Sequence, residues 1–242
     1  MFIASLITVN TFAQKPVIAQ KPAIDFDAIE KWPTIGDAKI SNDGKYVAYT
    51  IHNQPYKSQT LVVKATDGNW EREFVGANGA DFTEDSRKAV FMKDGDSLGI
   101  VNLGLTAIEY IPNVQSFKLS GSRKGEWLAY QTKDAAHELV MNDLNNGNEK
   151  RFAAVDNYLF SPNGKVCVIT QKVKDSGNTT ILQWMDCGTG HTKTIWQGEQ
   201  AGNYTFDEEG KQLAFIAEDE HKGPNENAIW YYKSGMDSAN DC

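Results

Sequence analysis

The stretch ISNDGKYVAYT (Ile40–Thr50) consists of an apolar residue, a turn closed by Asp43-Gly44, and an apolar strand. Four similar stretches follow it: FTEDSRKAVFM (Phe82–Met92), LSGSRKGEWLAYQ (Leu119–Gln131), FSPNGKVCVIT (Phe160–Thr170) and FDEEGKQLAFI (Phe206–Ile216). Their equivalent turn residues are 42, 39, 39 and 46 residues apart: Gly44, Ser86, Gly125, Gly164 and Gly210. A period near 40 residues with one hairpin per period is typical of a β-propeller, whose repeat is a four-stranded blade.

Two neighbouring positions of the strand after each turn differ consistently in size. The third strand position, which we call the small column, contains Ala48, Val90, Ala129, Val168 and Ala214. The fourth, the large column, contains Tyr49, Phe91, Tyr130, Ile169 and Phe215. Adjacent strand residues point to opposite faces of a sheet, so these strands are apolar on both faces. Blades stacked around a ring bury both faces, and small residues against large ones allow two sheets to interdigitate.

A third column precedes the turn and is large and apolar: Ile40, Phe82, Leu119, Phe160 and Phe206. The turn residue itself is glycine in four of the five copies, as expected where a short hairpin needs a positive φ. Ser86 is the exception. We expect backbone strain or a different turn at that position.

Composition excludes several classes of function. The 242 residues carry a net charge of −8 with an isoelectric point near 5.1, which argues against a nucleic-acid or anionic-membrane surface. Three cysteines are too few for a disulfide framework or a cysteine-rich zinc site, and no metal or cofactor is predicted. Cys167 occupies an otherwise aliphatic column, so we interpret it as a buried small hydrophobe, with a Cys167–Cys187 bridge as the alternative.

The N-terminus indicates export. Residues 1–13 combine the apolar run MFIASLITV with small residues suited to cleavage after Ala13, so they are predicted to be a signal peptide without its basic segment; a frayed first strand is the alternative. A secreted or periplasmic location follows. Residues 14–36 are predicted as an extended spacer and a short helix over Asp25–Trp32, with Asp25 as its cap. No apolar run is long enough for a membrane span.

Residues 37–242 are assigned to blades. The first four blades are predicted at 37–75, 79–111, 116–152 and 156–196, and the fifth at 202–242. The third strand of the fifth blade is placed at Trp230-Tyr231-Tyr232, and the polar residues after it indicate no fourth strand. Either residues before Asp37 close a five-bladed ring, or the chain is the front part of a longer seven- or eight-bladed propeller; the second interpretation is favoured.

The ordered set of motifs resembles the N-terminal half of large secreted bacterial peptidases of the prolyl oligopeptidase family. It comprises Ile40–Thr50, FTEDSR from Phe82, Asp96–Asn102, Ile111–Leu119 and WLAYQ from Trp127, and the similarity extends from about Ile24 onward. Single units of this kind also occur in TolB-like propellers. The long charged insertion often seen in blade two of the family is reduced here to Lys93-Asp94-Gly95.

The resemblance implies a role without catalysis. In that family the propeller covers an α/β-hydrolase domain of the same chain, and the Ser, Asp and His of the triad lie in that C-terminal domain. None of those positions exists in these residues, so no catalytic residue is assigned. The implied partners are a hydrolase domain of the same parent chain and peptide substrates, which the propeller admits while excluding folded proteins.

One motif mimics a catalytic site. Gly95-Asp96-Ser97-Leu98-Gly99 matches the G-x-S-x-G nucleophile elbow, which requires a strand before the serine and a helix after it. Here the flanking segments read as two strands of one blade. We therefore interpret Ser97 as a residue of a blade turn.

Other polar and aromatic groups also have structural interpretations. The four histidines (His52, His137, His191 and His221) show no metal-binding spacing. Asp143, Asn145 and Gly147 lack the spacing of a calcium loop, and Glu218–His221 is read as a solvated charge run. Most of the large aromatic residues are assigned to blade packing, with one or two left to face a rim or the channel: Trp127, Trp184, Trp196, Trp230, Tyr231 and Tyr232.

Two further hypotheses stay open. A self-standing periplasmic propeller similar to TolB would bind a protein or peptide on one rim and fold as a soluble product. A sugar-binding or glycosidase propeller would need paired carboxylates converging on the channel, and the repeats show no consistent acidic column there.

Overall fold

The computed structural model describes residues 25–122, 126–134, 138–174, 178–218 and 227–242. The predicted signal peptide (1–13) and the spacer residues 14–24 lie outside this part of the chain. A short helix, α1 (Phe26–Glu30), belongs to a separate unit that ends at Trp32. The Asp25 side chain accepts a hydrogen bond from the Ala28 amide at 2.7 Å, which confirms the predicted cap.

Within the described ranges, Pro33–Cys242 forms five four-stranded antiparallel sheets, which confirms the β-propeller prediction. Blade one contains β1 (Thr34–Ile40), β2 (Tyr46–His52), β3 (Gln59–Ala65) and β4 (Glu71–Val75). Blade two contains β5 (Ala77–Phe82), β6 (Lys88–Lys93), β7 (Ser97–Asn102) and β8 (Ile108–Ile111). Blade three contains β9 (Val114–Leu119), β10 (Trp127–Thr132), β11 (Leu139–Asp143) and β12 (Glu149–Phe152).

Blade four contains β13 (Val155–Phe160), β14 (Val166–Lys174), β15 (Asn178–Asp186) and β16 (Thr192–Gly198). Blade five contains β17 (Ala201–Phe206), β18 (Gln212–Glu218), β19 (Asn227–Lys233) and β20 (Asn240–Asp241). Strands pair in chain order within each blade, and every quoted repeat spans the turn between the first and second strands.

The expectation that blade five lacks a fourth strand is wrong. β20 pairs with β19 through Trp230↔Asp241 and Tyr231↔Asn240. The chain turns back after Lys233, and the Ala239 amide donates to the Ile195 carbonyl of blade four at 2.7 Å. Asn240 and Asp241 are both polar, so this strand lacks the alternation of apolar and polar residues by which strands are recognised in a sequence. It is defined by its backbone pairing alone and could not be predicted.

The small and large columns meet between blades as predicted. Each small residue shares a buried cluster with the large residue of the following blade: Ala48 with Phe91, Val90 with Tyr130, Ala129 with Ile169, and Val168 with Phe215. The small column therefore faces the following blade, and the large column faces the preceding one. This single rule packs neighbouring blades throughout the described arc.

The ring is not closed in the described part of the chain. Tyr49 and Ala214, at the two ends of the arc, have no described blade opposite them and are only half-buried. Ile40 is 63% exposed beside Tyr49, and Ile216 and Ile229 are 39% and 58% exposed beside Ala214. We call these two surfaces the end faces of the arc.

Candidate functional site

The turns of the repeats form a polar network that the sequence interpretation missed. Four first strands are followed by a buried hydroxyl residue: Ser41, Thr83, Ser120 and Ser161. Each hydroxyl accepts a hydrogen bond from the amide that begins the next strand, at 2.9 to 3.0 Å. In three of the four copies the Ser or Thr stands two residues before an Asp or Asn, and this pattern is the sequence signal that could have identified the network.

Consecutive turns also contact one another around the arc. The Asp43 amide donates to Ser86 Oγ at 3.1 Å, and the Asn163 side-chain amide donates to the Glu209 carbonyl. Ser86 has φ +58°, so the predicted strain is present, and its hydroxyl serves as an acceptor between blades. A Cβ on Gly164 would lie 2.1 Å from the Ser120 carbonyl oxygen, so glycine is required there by close approach as well as by its φ of +67°.

Glu126 joins the turns of blades two and three. Its side chain is only 3% exposed and accepts hydrogen bonds from the Glu84 amide at 2.9 Å, the Gly121 amide at 2.9 Å and Ser120 Oγ at 3.3 Å. Burial raises the pKa of this carboxyl, and the hydrogen bonds oppose that effect. Glu126 follows the turn residue Gly125, at the position where the other copies have a basic residue (Lys45, Arg87, Lys165 and Lys211), and it was not singled out.

The first strands of the blades form the inner wall of the arc. A cavity of about 400 Å³ is lined by residues of β5, β9 and β13, including Asp81, Lys118 and the apolar side chains Phe82, Phe117, Leu119 and Phe160. A cavity in contact with three consecutive blades lies where the blades converge. We therefore define the inner wall as β1, β5, β9, β13 and β17, the strands nearest the axis.

A second cavity, of about 500 Å³, continues along the inner wall from blade three to blade five. Its lining is more polar and includes Asp156, Asn157, Thr170, Asn203 and Tyr204. Lys118 and Leu159 line both cavities. The two spaces therefore meet at Lys118 on β9, where an apolar lining changes to a polar one.

Ion pairs fix most of the charges along the inner wall. Lys39 of β1 is paired with Asp81 of β5, and Lys172 Nζ lies 3.1 Å from Asp156 Oδ2. Lys118 Nζ lies 5.1 Å from the centre of the Tyr158 ring. Tyr158 is buried, which raises the pKa of its hydroxyl to about 12. The wall therefore carries both signs of charge, held on strands with fixed backbone pairing.

Ser97 directly follows a turn between two strands. The turn at Asp94-Gly95 connects β6 to β7, and Ser97 is the first residue of β7 rather than the start of a helix. Ser97 Oγ lies 3.4 Å from Asp96 Oδ1. This geometry lacks the strand-to-helix turn on which a nucleophile elbow depends.

The aromatic residues singled out from the sequence pack between blades. Trp127, Trp184, Trp196 and Tyr232 are buried, and the Trp127 indole donates to the Cys187 carbonyl of blade four at 2.6 Å. Trp230 and Tyr231 are half-buried. The aromatic set therefore contributes mainly to the core, as interpreted.

The histidines and the asparagine-rich segment also occupy structural positions. His52 Nε2 lies 3.7 Å from Asp37 Oδ2, and His191 is exposed in a turn; His137 and His221 lie outside the described residues. The Asp143 carboxylate accepts from the Asn145 amide at 2.9 Å and from the Asn146 side chain at 2.7 Å, as in an asparagine turn. Glu218 ends β18, and residues 219–221 lie outside the described residues.

The two internal cysteines are buried thiols in the same cluster. Cys167 and Cys187 are both free, and burial raises the pKa of each, for Cys187 to about 12. The interpretation of Cys167 as a buried hydrophobe is therefore confirmed, and the alternative bridge is not formed. Among the residues that the structure describes, no cluster of His, Cys, Asp or Glu is arranged to hold a metal ion, and no helix is long and apolar enough to span a membrane.

Comparison with known proteins identifies the fold. No protein-family model matches the sequence, and no curated protein is significantly similar to it. Solved structures are similar at low identity. The β-propeller domain of the Trilobed protease from Pyrococcus furiosus has a TM-score of 0.51 and 13% identity, covering 88% of this chain and 71% of that chain. A eukaryotic initiation factor has a TM-score of 0.55 and 11% identity, covering 86% of this chain and 55% of that chain.

An acylaminoacyl peptidase from Pyrococcus horikoshii is a weaker match, with a TM-score of 0.48 and 13% identity, and it covers 90% of this chain and 40% of that chain. The similarity to the first two structures, at 13% and 11% identity, shows the β-propeller fold alone. Function must therefore be argued from the residues of this chain.

Proposed function

We propose that this chain is the propeller portion of a secreted or periplasmic serine peptidase of the prolyl oligopeptidase family. In this role it would gate and filter peptides for an α/β-hydrolase domain of the same parent chain, and it would carry no catalytic residue itself. The ordered set of repeat motifs is the observation that carries the proposal. The β-propeller domain of the Trilobed protease is a precedent for this fold within a protease.

The inner wall supports a filtering role. Its cavities of about 400 and 500 Å³ are large enough for a few side chains of an extended peptide but far too small for a folded domain. They lie on strands rather than loops, so their width is set by the packing of neighbouring blades. Rigid cavities of this size would accept short or unfolded peptide segments and would exclude folded proteins.

The end faces support the view that further blades belong to the parent protein. Elsewhere in the arc the corresponding sheet faces are covered by a neighbouring blade, whereas Ile40, Ile216 and Ile229 are exposed. Apolar sheet faces of this kind normally lie at an interface. Two or three additional blades would cover both end faces and complete a ring of seven or eight.

The direct test is to translate the gene in frame beyond Cys242. We expect additional repeats and then a hydrolase region with Gly-x-Ser-x-Gly between a strand and a helix, followed by Asp and His. A stop codon with no such region nearby would refute the proposal. The full parent protein should cleave a short peptide while leaving the same sequence intact inside a folded protein.

A self-standing periplasmic binding propeller similar to TolB is the second candidate. One observation favours it: β20 completes blade five, so an unfinished blade no longer argues for a fragment. This candidate predicts a soluble monomer that unfolds cooperatively and binds a hydrophobic dye weakly. Under the first proposal the same chain should bind such a dye strongly through its end faces.

A further inference from the structure

The Lys118 ammonium group is an uncompensated charge on the inner wall of the described part of the chain. Asp81 and Asp156, the carboxylates that line the two cavities, are already paired with Lys39 and Lys172. Across the described ranges, no carboxylate lies within 4 Å of Lys118 Nζ, which lies 5.1 Å from the centre of the Tyr158 ring. A cation over an aromatic face keeps its full charge and its capacity to donate hydrogen bonds.

The position of Lys118 is fixed by the sheet. Its backbone lies on β9 opposite Ala129 of β10, and Ala129 is fully buried between blades three and four. Tyr158, beneath the ammonium group, belongs to the same buried cluster. The backbone of Lys118 is therefore fixed, and its exposed side chain places the ammonium group over the Tyr158 ring, where the two cavities meet.

The linings on the two sides of Lys118 differ in a way that suits one class of ligand. On one side, Phe82, Phe117 and Phe160 supply aromatic surface for an apolar side chain. On the other, the side chains of Asn157 and Asn203 supply donors and acceptors for peptide groups. A carboxylate between the two sides would receive a charge-assisted hydrogen bond from Lys118.

We infer that the inner wall binds a peptide carboxylate at Lys118, with an adjacent apolar side chain in the cavity of about 400 Å³. The inference deepens the proposed filtering function and depends on peptides entering the inner wall. The carboxylate can be the C-terminus of a peptide or an Asp or Glu side chain. Either one would be selected over a neutral peptide although the chain as a whole carries a net charge of −8.

The test measures binding to the full 242-residue chain by fluorescence anisotropy. Three labelled probes share an Ala-Gly-Phe core: one ends in a free carboxylate, one in an amide, and one continues with Glu and then an amide. We expect the first or third probe to bind about tenfold more tightly than the plain amide, as one charge-assisted hydrogen bond allows. Whichever binds more tightly identifies the source of the carboxylate.

Three variants assign the effect to Lys118. Lys118→Gln should remove the preference for the carboxylate probes, and Lys118→Arg should retain it. Lys64→Gln is the matched control, because Lys64 Nζ lies 5.5 Å from the centre of the Tyr49 ring and Lys64 lines neither cavity. It should leave all three affinities unchanged. Circular dichroism and the unfolding midpoint of each variant show that the fold is intact.

Each outcome is decisive for the inference. An unchanged carboxylate preference in Lys118→Gln, or no binding of any probe to the folded chain, overturns it. If all probes bind equally to the wild type, the chain still binds peptides, as the proposed function requires, and only the carboxylate site is refuted. If the preference is found but the gene encodes no hydrolase region, the site stands and the peptidase proposal falls.

Discussion

The layers between blades and the end faces of the arc are built from the same columns of residues but have opposite surroundings. Phe91, in the large column of blade two, is completely buried against blade one. Tyr49, its equivalent in blade one, is only half-buried. Both positions have a large aromatic residue in the sequence. They differ in burial because only Phe91 has a preceding blade to pack against.

This difference shows that the repeat encodes an interface rather than a self-sufficient blade. Each sheet brings a small residue on one face and a large one on the other, so it is complete only between two neighbours. Stability in such a stacked architecture comes from the sheets together with the layers that join them. Variants that compare a layer with an end face therefore test the architecture directly.

The largest contrast is expected within the large column. Phe91→Ala removes a ring that packs 4.5 Å from the ring of Phe74, and it should reduce the free energy of unfolding by about 3–5 kcal/mol. Tyr49→Ala should cost about 1 kcal/mol or less, because part of that ring already contacts water. Urea denaturation followed by tryptophan fluorescence measures both. Equal losses would mean that the end face of blade one is covered in the folded chain.

The turn glycines provide the second contrast. Gly44 and Gly164 both have positive φ, +72° and +67°, so replacement by Ala strains each backbone by about 1 kcal/mol. A Cβ at Gly44 meets nothing within 4 Å, whereas at Gly164 it meets the Ser120 carbonyl of blade three at 2.1 Å. We expect Gly164→Ala to cost about 3 kcal/mol in total, because overpacking adds to the strain. If the midpoints of the two variants coincide, the turns do not hold the blades together.

Glu126 tests a polar connection between blades two and three. Glu126→Gln replaces a carboxylate oxygen with an NH₂ group facing an amide donor, so it should cost about 1–3 kcal/mol at neutral pH. Glu199→Gln removes an exposed charge and is the control, with an effect below about 0.5 kcal/mol. Urea denaturation of the three proteins measures these differences.

The pH dependence of the Glu126 contribution has a defined sign. Burial raises the pKa of Glu126 above its ordinary value of 4.5, so the folded chain binds this proton more tightly than the unfolded chain does. The stability that protonation provides is complete below pH 4.5 and is lost as the pH rises through the raised pKa. The stability of the wild type relative to Glu126→Gln should therefore decrease over that interval. An increase would show that the hydrogen bonds to the carboxylate outweigh its burial.

The columns explain how much of the fold the sequence could predict. Ala48 and Phe91 lie 43 positions apart, yet the repeat alone was enough to place them on facing sheets. The two-residue strand β20 could not be predicted in this way, since Asn240 and Asp241 are polar and pair only through their backbone. Side chains that are buried at the same position of every blade produce a repeated apolar pattern in the sequence. A strand held only by backbone pairing at the end of a blade produces no such pattern.

The candidate site was much harder to predict. Lys118 occupies the position before Leu119 in the repeat, where Lys39 and Asp81 stand in the first two blades. Those two pair with each other, and the next carboxylate along the wall, Asp156, pairs with Lys172 of the same blade. Which cation is left without a partner depends on side-chain distances across three blades. The presence of a lysine at position 118 does not by itself reveal whether that lysine has a charged partner.

The smallest effect is expected at the end face of blade five. Ile216→Lys should change the free energy of unfolding by less than about 0.5 kcal/mol, since the side chain is 39% exposed and has no blade opposite it. The same change should lower the binding of a hydrophobic dye, because a charge now interrupts the apolar surface formed with Ile229. Denaturation in urea and dye fluorescence are measured on the same samples. A loss of several kcal/mol would instead indicate that this face is already buried against another sheet in solution, and the contrast between layers and end faces would then be wrong.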